Sequence, residues 1–204
     1  MKITVDKVVT NGVFTLDGGQ WDVDNNVWLL GNDSEVLVID AAHDARAIAA
    51  AIGKRRVPAI VCTHAHNDHI NAAVALAERL PGEVPIMLHP EDTVLWDQTH
   101  PGRPVDSPLH DGQLIEAAGI RLEVRHTPGH APGAVCLYAP DLATVFTGDT
   151  LFEGGPGATG RSYSDRGTLV ASIKSRLFTL PPETVVHTGH GPDTTIGAEV
   201  ANLG

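Results

Sequence analysis

The sequence predicts a mixed α/β chain, and three observations carry that expectation. The first third is a series of short runs rich in Val, Ile, Leu and Trp, separated by turn residues. Beyond Asp44, strand-like and helix-like segments alternate. The 204 residues are 42% apolar and 19% charged, the composition of a globular chain with material for one sizeable core, so a single domain over residues 1–204 is expected.

Taken in order, Lys2–Thr10, Val13–Leu16, Asn26–Leu30 and Glu35–Asp40 read as strands of an antiparallel meander. Asn11-Gly12, Gly18-Gly19 and Gly31-Asn32-Asp33 read as the turns between them. Asp44 supplies a short side-chain acceptor for a helix N-terminus, Ile48 and Ile52 lie one turn apart, and Gly53 can end the helix. Ala59–Thr63 is a buried strand. Ile70–Leu80 has helical apolar spacing and stops at Pro81-Gly82. Val84–Leu88 follows as a strand and Pro90–Thr99 as a short helix. Ile120–His126, Ala134–Tyr138 and Ala143–Thr147 read as strands. Asp165 caps a helix with Leu169, Ile173 and Leu177 on one face, ending before Pro181-Pro182, and Thr184–Thr188 is the last strand. No internal repeat or linker interrupts the series.

Charge and composition narrow the function classes. The formal net charge is −11, which offers no basic surface for a nucleic-acid backbone. Cys62 and Cys136 are the only cysteines, a usage typical of a reduced compartment. The first residues alternate like a strand and lack the apolar core of a signal peptide. No run reaches membrane-spanning length. The expectation is a cytoplasmic protein with neither nucleic acid nor membrane as partner.

The chemistry concentrates in Thr63-His64-Ala65-His66-Asn67-Asp68-His69, three imidazoles and a carboxylate in seven residues. Imidazole and carboxylate are ligands of zinc, iron and manganese. His64 and His66 alternate just past a strand end and can face one point. Asp68 and His69 open the next helix and can turn toward a second. Three further turns follow predicted strands: Thr127-Pro128-Gly129-His130, Thr147-Gly148-Asp149-Thr150 and Thr188-Gly189-His190-Gly191. Strand ends of this kind are where α/β proteins place ligand sites.

Taken together, His64, His66, Asp68, His69, His130, Asp149 and His190 resemble the motif set of the metallo-β-lactamase fold superfamily, and within it are most similar to the glyoxalase II branch. The resemblance implies a four-layer αβ/βα sandwich of two mixed β-sheets flanked by helices. It implies two divalent metal ions per chain, with zinc the default and iron or manganese also suited. His64, His66 and His130 would hold the first metal, and Asp68, His69 and His190 the second. Asp149 would bridge both, and Asp40 would orient a ligand imidazole from behind. Two metals sharing a hydroxide, oriented by Asp68, would attack a carbonyl whose developing charge one metal stabilises.

The implied substrate is a small-molecule thioester, an acyl conjugate of a low-molecular-weight thiol. Arg161 and Tyr163, at the end of the Gly154–Gly160 loop, resemble the residues that contact the thiol carrier in glyoxalase II, although arginine stands where lysine is usual. That branch carries a helical domain after its last metal histidine, whereas only Gly191 to Gly204 remain here. The carrier (glutathione, mycothiol or bacillithiol) and the acyl group therefore stay open, as does assembly into a homo-oligomer. The rival readings are a lactonase of the same fold, which tends to have a tyrosine where this chain has Phe152, and a persulfide dioxygenase holding one iron. A β-lactam hydrolase is disfavoured by the absence of an export signal and by Asp149, and a purely metal-binding role by the completeness of the set. The remaining histidines, His43, His89, His100, His110, His126 and His187, read as structural or solvated, and Cys62 as a buried core residue.

Overall fold

The computed structural model describes residues 2–203. Two six-stranded mixed sheets face one another. The first runs β1 (Thr4–Leu16), β2 (Gly19–Gly31), β3 (Val36–Ile39), β4 (Ile60–Val61), β5 (Ile86–Leu88) and β6 (Ser107–Pro108) in spatial order. The first three strands are antiparallel and the last three join in parallel. The second sheet is built from β7 (Leu114–Ala117), β8 (Ile120–His126), β9 (Val135–Ala139), β10 (Thr144–Gly148), β13 (Val185–Thr188) and β14 (Thr194–Thr195). Within it only β10 and β13 are parallel. A small ribbon of β11 (Leu151–Phe152) and β12 (Gly155–Pro156) stands apart. The helices are α1 (Ala45–Ile52), α2 (Asn67–Ile70), α3 (Ala73–Arg79), α4 (Thr93–Thr99), α5 (Arg166–Ser172) and α6 (Ile196–Leu203).

Three apolar interfaces separate four layers. Trp28, Leu30, Leu37, Ile39 and Val61 of the first sheet meet Leu122, Val124, Leu137 and Phe146 of the second. On the outer face of the first sheet, Leu29, Val38, Ile60 and Ile86 pack against Ile48, Ile52, Leu76 and Trp96 of the helices. On the outer face of the second, Cys136, Val145 and Val186 pack against Leu169, Ile173, Leu177 and Ile196. A strand covered on both faces must be apolar at every position, which is why Val27-Trp28-Leu29-Leu30 shows no alternation.

Helix ends follow the predicted caps. Asp44 Oδ1 accepts from Arg46 N at 2.9 Å and Ala47 N at 3.0 Å, and Gly53 closes α1 with φ of 66°. Asp165 Oδ1 accepts from Thr168 N at 2.6 Å. After α5 the same helical path widens over Ile173–Leu177, where Phe178 N bonds Ile173 O at 3.0 Å.

Two expectations are corrected. Asn11-Gly12 is not a turn: β1 passes straight through it and pairs with β2 from Thr4↔Gly31 to Leu16↔Gly19. The hairpin turns at Asp17-Gly18, both with positive φ. Gly12 is glycine for a different reason, because a Cβ there would lie 2.1 Å from His43 Nδ1. The helix expected over Ile70–Leu80 is two pieces. It starts at Asn67 and breaks at Asn71-Ala72, where Ala72 N bonds Ala41 O at 3.1 Å and the Asn71 side chain accepts from His43 N at 2.6 Å. β6, β7, β14 and α6 have no counterpart in the sequence-based expectation.

Candidate metal centre

Every predicted ligand sits in the loop or the short helix that follows a strand, on one rim of the sandwich. His64, His66, Asp68 and His69 follow β4; His130 follows β8, Asp149 follows β10 and His190 follows β13. The structure brings the seven together. His64 Nε2 lies 3.1 Å from His66 Nδ1, which lies 2.9 Å from His130 Nε2. His69 Nε2 lies 3.3 Å from His190 Nε2, and His190 Nε2 lies 3.3 Å from Asp68 Oδ2. Asp149 stands between the groups, with Oδ1 3.2 Å from His69 Nε2, and Oδ2 3.6 Å from His130 Nε2 and 3.4 Å from His190 Nε2.

The tautomers follow from what lies behind each ring. Carbonyl oxygens only accept, so the 2.8 Å contact of His130 Nδ1 with Ala158 O and the 2.7 Å contact of His190 Nδ1 with Asp24 O place a proton on each Nδ1. His69 Nδ1 donates to Asp40 Oδ2 at 2.9 Å. Thr63 Oγ1 donates to Asp40 Oδ2 at 2.7 Å and so accepts from His64 Nδ1 at 3.1 Å. A neutral ring so anchored turns a lone pair on Nε2 toward its cluster. In the first cluster, where burial keeps the rings neutral, lone pairs facing one another at 2.9–3.1 Å repel unless a cation lies among them. Bonds of about 2.0–2.1 Å to a tetrahedral metal set neighbouring ligand nitrogens about 3.3–3.4 Å apart. The histidine and aspartate clusters therefore suit a dinuclear metal site.

Electrostatics divides the site. Burial, reinforced by neighbouring imidazoles, holds His64 far below the ordinary histidine range and His66 down to about 3; burial also lowers His130. Those rings stay neutral. Burial opposes charge on His190 as well, but the Asp149 carboxylate, with hydrogen bonds to Asp149 and Asp68, overcomes it and holds the ring up to about 10. His69 is raised for the same reason. Burial would lift Asp68, yet the His69 charge and hydrogen bonds from His190 and Asn25 bring it down to about 2.

Asp40 is placed by backbone strain. It adopts φ of 57°, costly for aspartate, and is held there by Thr63 N, Thr63 Oγ1 and His69 Nδ1 on its two oxygens. Gly189 is required beside the centre, because a Cβ there would lie 2.2 Å from Asp149 Oδ1 and 2.7 Å from His69 Cε1.

A cavity of about 310 Å³ opens over the centre. One wall is apolar, with Phe14, Leu16 and Val23 from the β1–β2 hairpin; the other carries Thr159, Arg161, Ser162 and Ser164. Arg161 lies 3.7 Å above the Trp21 ring, and Ser162 N donates to Asp17 Oδ2 at 2.9 Å, so this loop docks on the hairpin tip. Arg161 faces the cavity. Tyr163 does not line it and is 45% exposed.

Sequence reasoning missed four residues here. Asn25 Nδ2 donates to Asp68 Oδ2 at 3.1 Å, and Asn25 Oδ1 accepts from His43 Nε2 at 2.8 Å, so His43 is one residue removed from a predicted ligand. Asn26 Nδ2 donates to Thr188 O and Gly191 O, pinning the His190 turn. Asp92 is fully buried between two histidine loops. The signal for Asn25 and Asn26 was present: two amides entering an apolar strand need partners. His89 and His126, with Glu91, form another group of ligand types. Their rings stack at 4.1 Å and 14°, so the lone pairs run side by side instead of converging.

The sequence model of the metallo-beta-lactamase superfamily matches residues 21–190, a span that includes all seven clustered residues. The probable metallo-hydrolase YqgX of Bacillus subtilis is 34% identical over 188 residues, covering 85% of this chain and 88% of its own. Hydroxyacylglutathione hydrolase GloC of Haemophilus influenzae is 30% identical over 182 residues, covering 82% and 85%. Among solved structures, TTHA1623 in a di-iron-bound form superposes with a TM-score of 0.78 at 36% identity, covering 88% of this chain and 94% of that one. The BLEG-1 B3 metallo-beta-lactamase superposes with a TM-score of 0.77 at 32% identity, covering 94% and 97%.

Proposed function

The chain belongs to the metallo-beta-lactamase superfamily, and from that premise we propose that it is a dinuclear metal-dependent thioesterase that cleaves acyl conjugates of a low-molecular-weight thiol. The observation that carries the dinuclear reading is Asp149, whose two oxygens lie within 3.6 Å of histidine nitrogens in both clusters. His64, His66 and His130 would hold one ion, Asp68, His69 and His190 the other, and Asp149 both. When bound, such a pair supplies hydroxide near neutral pH and polarises a carbonyl.

The chain's own residues do the rest. Asp40 keeps the proton of His69 on Nδ1. Asn25 fixes Asp68 Oδ2, while Asp68 Oδ1 is buried without a hydrogen-bond partner among the described residues and can accept from the attacking water. Phe14, Leu16 and Val23 offer the apolar wall against which an acyl or alkyl group can lie. A thiolate leaving group needs little protonation, which suits a cavity lined by no neutral acid beyond the histidines. The likeness to GloC supports the thioester class. The likeness to TTHA1623 favours iron beside zinc and manganese as the ion. Both thiols, Cys62 and Cys136, are free and buried, in keeping with a cytoplasmic setting.

One observation favours a second reading, a β-lactam hydrolase: the likeness to BLEG-1 over nearly the whole chain. The test is a panel of acyl-thiol conjugates, lactones, a chromogenic β-lactam and a persulfide, assayed with protein loaded separately with zinc, iron and manganese. Thioester turnover above all other substrates is expected. No thioester turnover above free metal overturns the proposal, and preference for a lactone, the β-lactam or the persulfide replaces it with that activity.

A further inference from the structure

The three histidines of the first cluster come from two loops, His64 and His66 from the β4–α2 loop and His130 from the β8–β9 loop. One backbone bond, Val135 N to Thr63 O at 2.8 Å, joins the loops at their base. Beyond it, one side chain among the described residues bonds the backbone of both. Asp92 ends the turn Pro90–Asp92 that leads into α4. Its Oδ2 accepts from Ala65 N at 2.8 Å, between His64 and His66, and its Oδ1 accepts from Gly133 N at 2.5 Å, three residues past His130. The fit is tight: a Cβ on Gly133 would lie 2.7 Å from Asp92 N and 2.9 Å from Asp92 Oδ1.

The carboxylate is fully buried and forms no ion pair among the described residues. Burying a carboxylate on two amide bonds is costly. An apolar side chain of similar size would tolerate burial better, but could not hold two loops at a fixed separation. The loops it joins carry nitrogens that lie 2.9–3.1 Å apart, close to the spacing of ligands on one ion.

We propose that Asp92 is a positioning residue of the first metal cluster, clamping the His64/His66 loop to the His130 loop and thereby setting the spacing of their three nitrogens. This rests on the metal-centre reading above. Its carboxylate bonds Ala65 and Gly133, and among the described residues it forms no hydrogen bond or ion pair with Asp68, His69 or His190, so its influence falls on the first cluster.

The test is a calorimetric titration of the metal-stripped full chain with Zn²⁺ against a competing chelator, for the natural protein, Asp92→Asn and Gly133→Ala. Asparagine keeps the shape but turns one acceptor into a donor facing an N–H. The Gly133→Ala methyl pushes the carboxylate away by an independent route. The natural protein is expected to take two equivalents. Both variants are expected to keep one equivalent at unchanged affinity and to weaken the other by about 10–100-fold. Two equivalents at unchanged affinity in both variants, or equal weakening of both equivalents, overturns the proposal. Failure of the natural protein to take two equivalents overturns the metal-centre reading instead, and the proposal with it. Should neither variant fold, amide exchange in the natural protein decides: slow exchange at Ala65 and Gly133 supports the clamp, and exchange as fast as in exposed loops overturns it.

Discussion

At the scale of single residues, the centre depends on groups that touch ligands as much as on the ligands. Asp40 bonds His69 Nδ1 and holds the Thr63 hydroxyl that in turn accepts from His64. Asp40→Ala is therefore expected to weaken metal binding by about 10–100-fold, read by chelator competition. Gly189→Ala places a methyl 2.2 Å from Asp149 Oδ1 and is expected to lower metal content and activity together. His43→Ala removes the partner of Asn25 Oδ1 and should weaken the second ion by no more than about tenfold. The pH dependence has a definite sign. His190 is held up to about 10, so at pH 7 the metal-free ring carries a proton that a cation must displace. Metal affinity should thus rise with pH from neutrality toward 10, with about one to two protons released per chain at pH 7. Calorimetry in buffers of different ionisation enthalpy measures that number, and zero release would contradict the charge assignment. The seven clustered residues were legible because each is a ligand type in the turn or first helical residues after a strand. Asp92 and His43 were not legible, since their roles depend on loops and strands far apart in sequence.

At the scale of elements, the β1–β2 hairpin is the part that sequence reasoning most undersold. Its thirteen-residue strands carry the apolar wall of the cavity near the tip and the Asn25–Asn26 braces near the middle. Gly12 read as a turn glycine because its closeness to His43 is invisible in the chain. The hairpin also receives the Gly154–Gly160 loop through Asp17 and Trp21. The other end of that loop is tied to α6, an element missed in sequence, where buried Glu199 accepts from Gly154 N at 3.1 Å. Ala158 O within the loop anchors His130. Trp21→Ala is expected to loosen the loop and raise KM several-fold while sparing the second cluster, measured by substrate kinetics beside metal content. An unchanged KM would show that the docked loop does not shape the cavity. The caps of α1 and α5, by contrast, were legible, because Asp44, Gly53 and Asp165 act locally, whereas the break between α2 and α3 depends on Ala41 and His43, far away in the chain.

At the scale of the whole molecule, four layers hold three apolar cores, and the rim where strands end gathers the segments that follow β4, β8, β10 and β13 around one point. Mixed α/β character was readable from alternation; the two facing mixed sheets were legible only through the resemblance carried by the metal motifs, because strand order and the parallel β10–β13 pair are long-range choices that local pattern does not show. A site assembled from loops so far apart in the chain couples metal binding to folding. Saturating metal at about 100 times its dissociation constant adds about 2.7 kcal/mol per site. A chelated sample is therefore expected to melt at a lower temperature, and an unchanged melting point would count against that coupling. The claim on which everything else stands is that two ions share Asp149. Anomalous diffraction from crystals grown with zinc tests it directly. Two peaks about 3.5–4 Å apart, one on each side of the Asp149 carboxylate, are predicted; one peak, or two that do not share Asp149, would contradict the account.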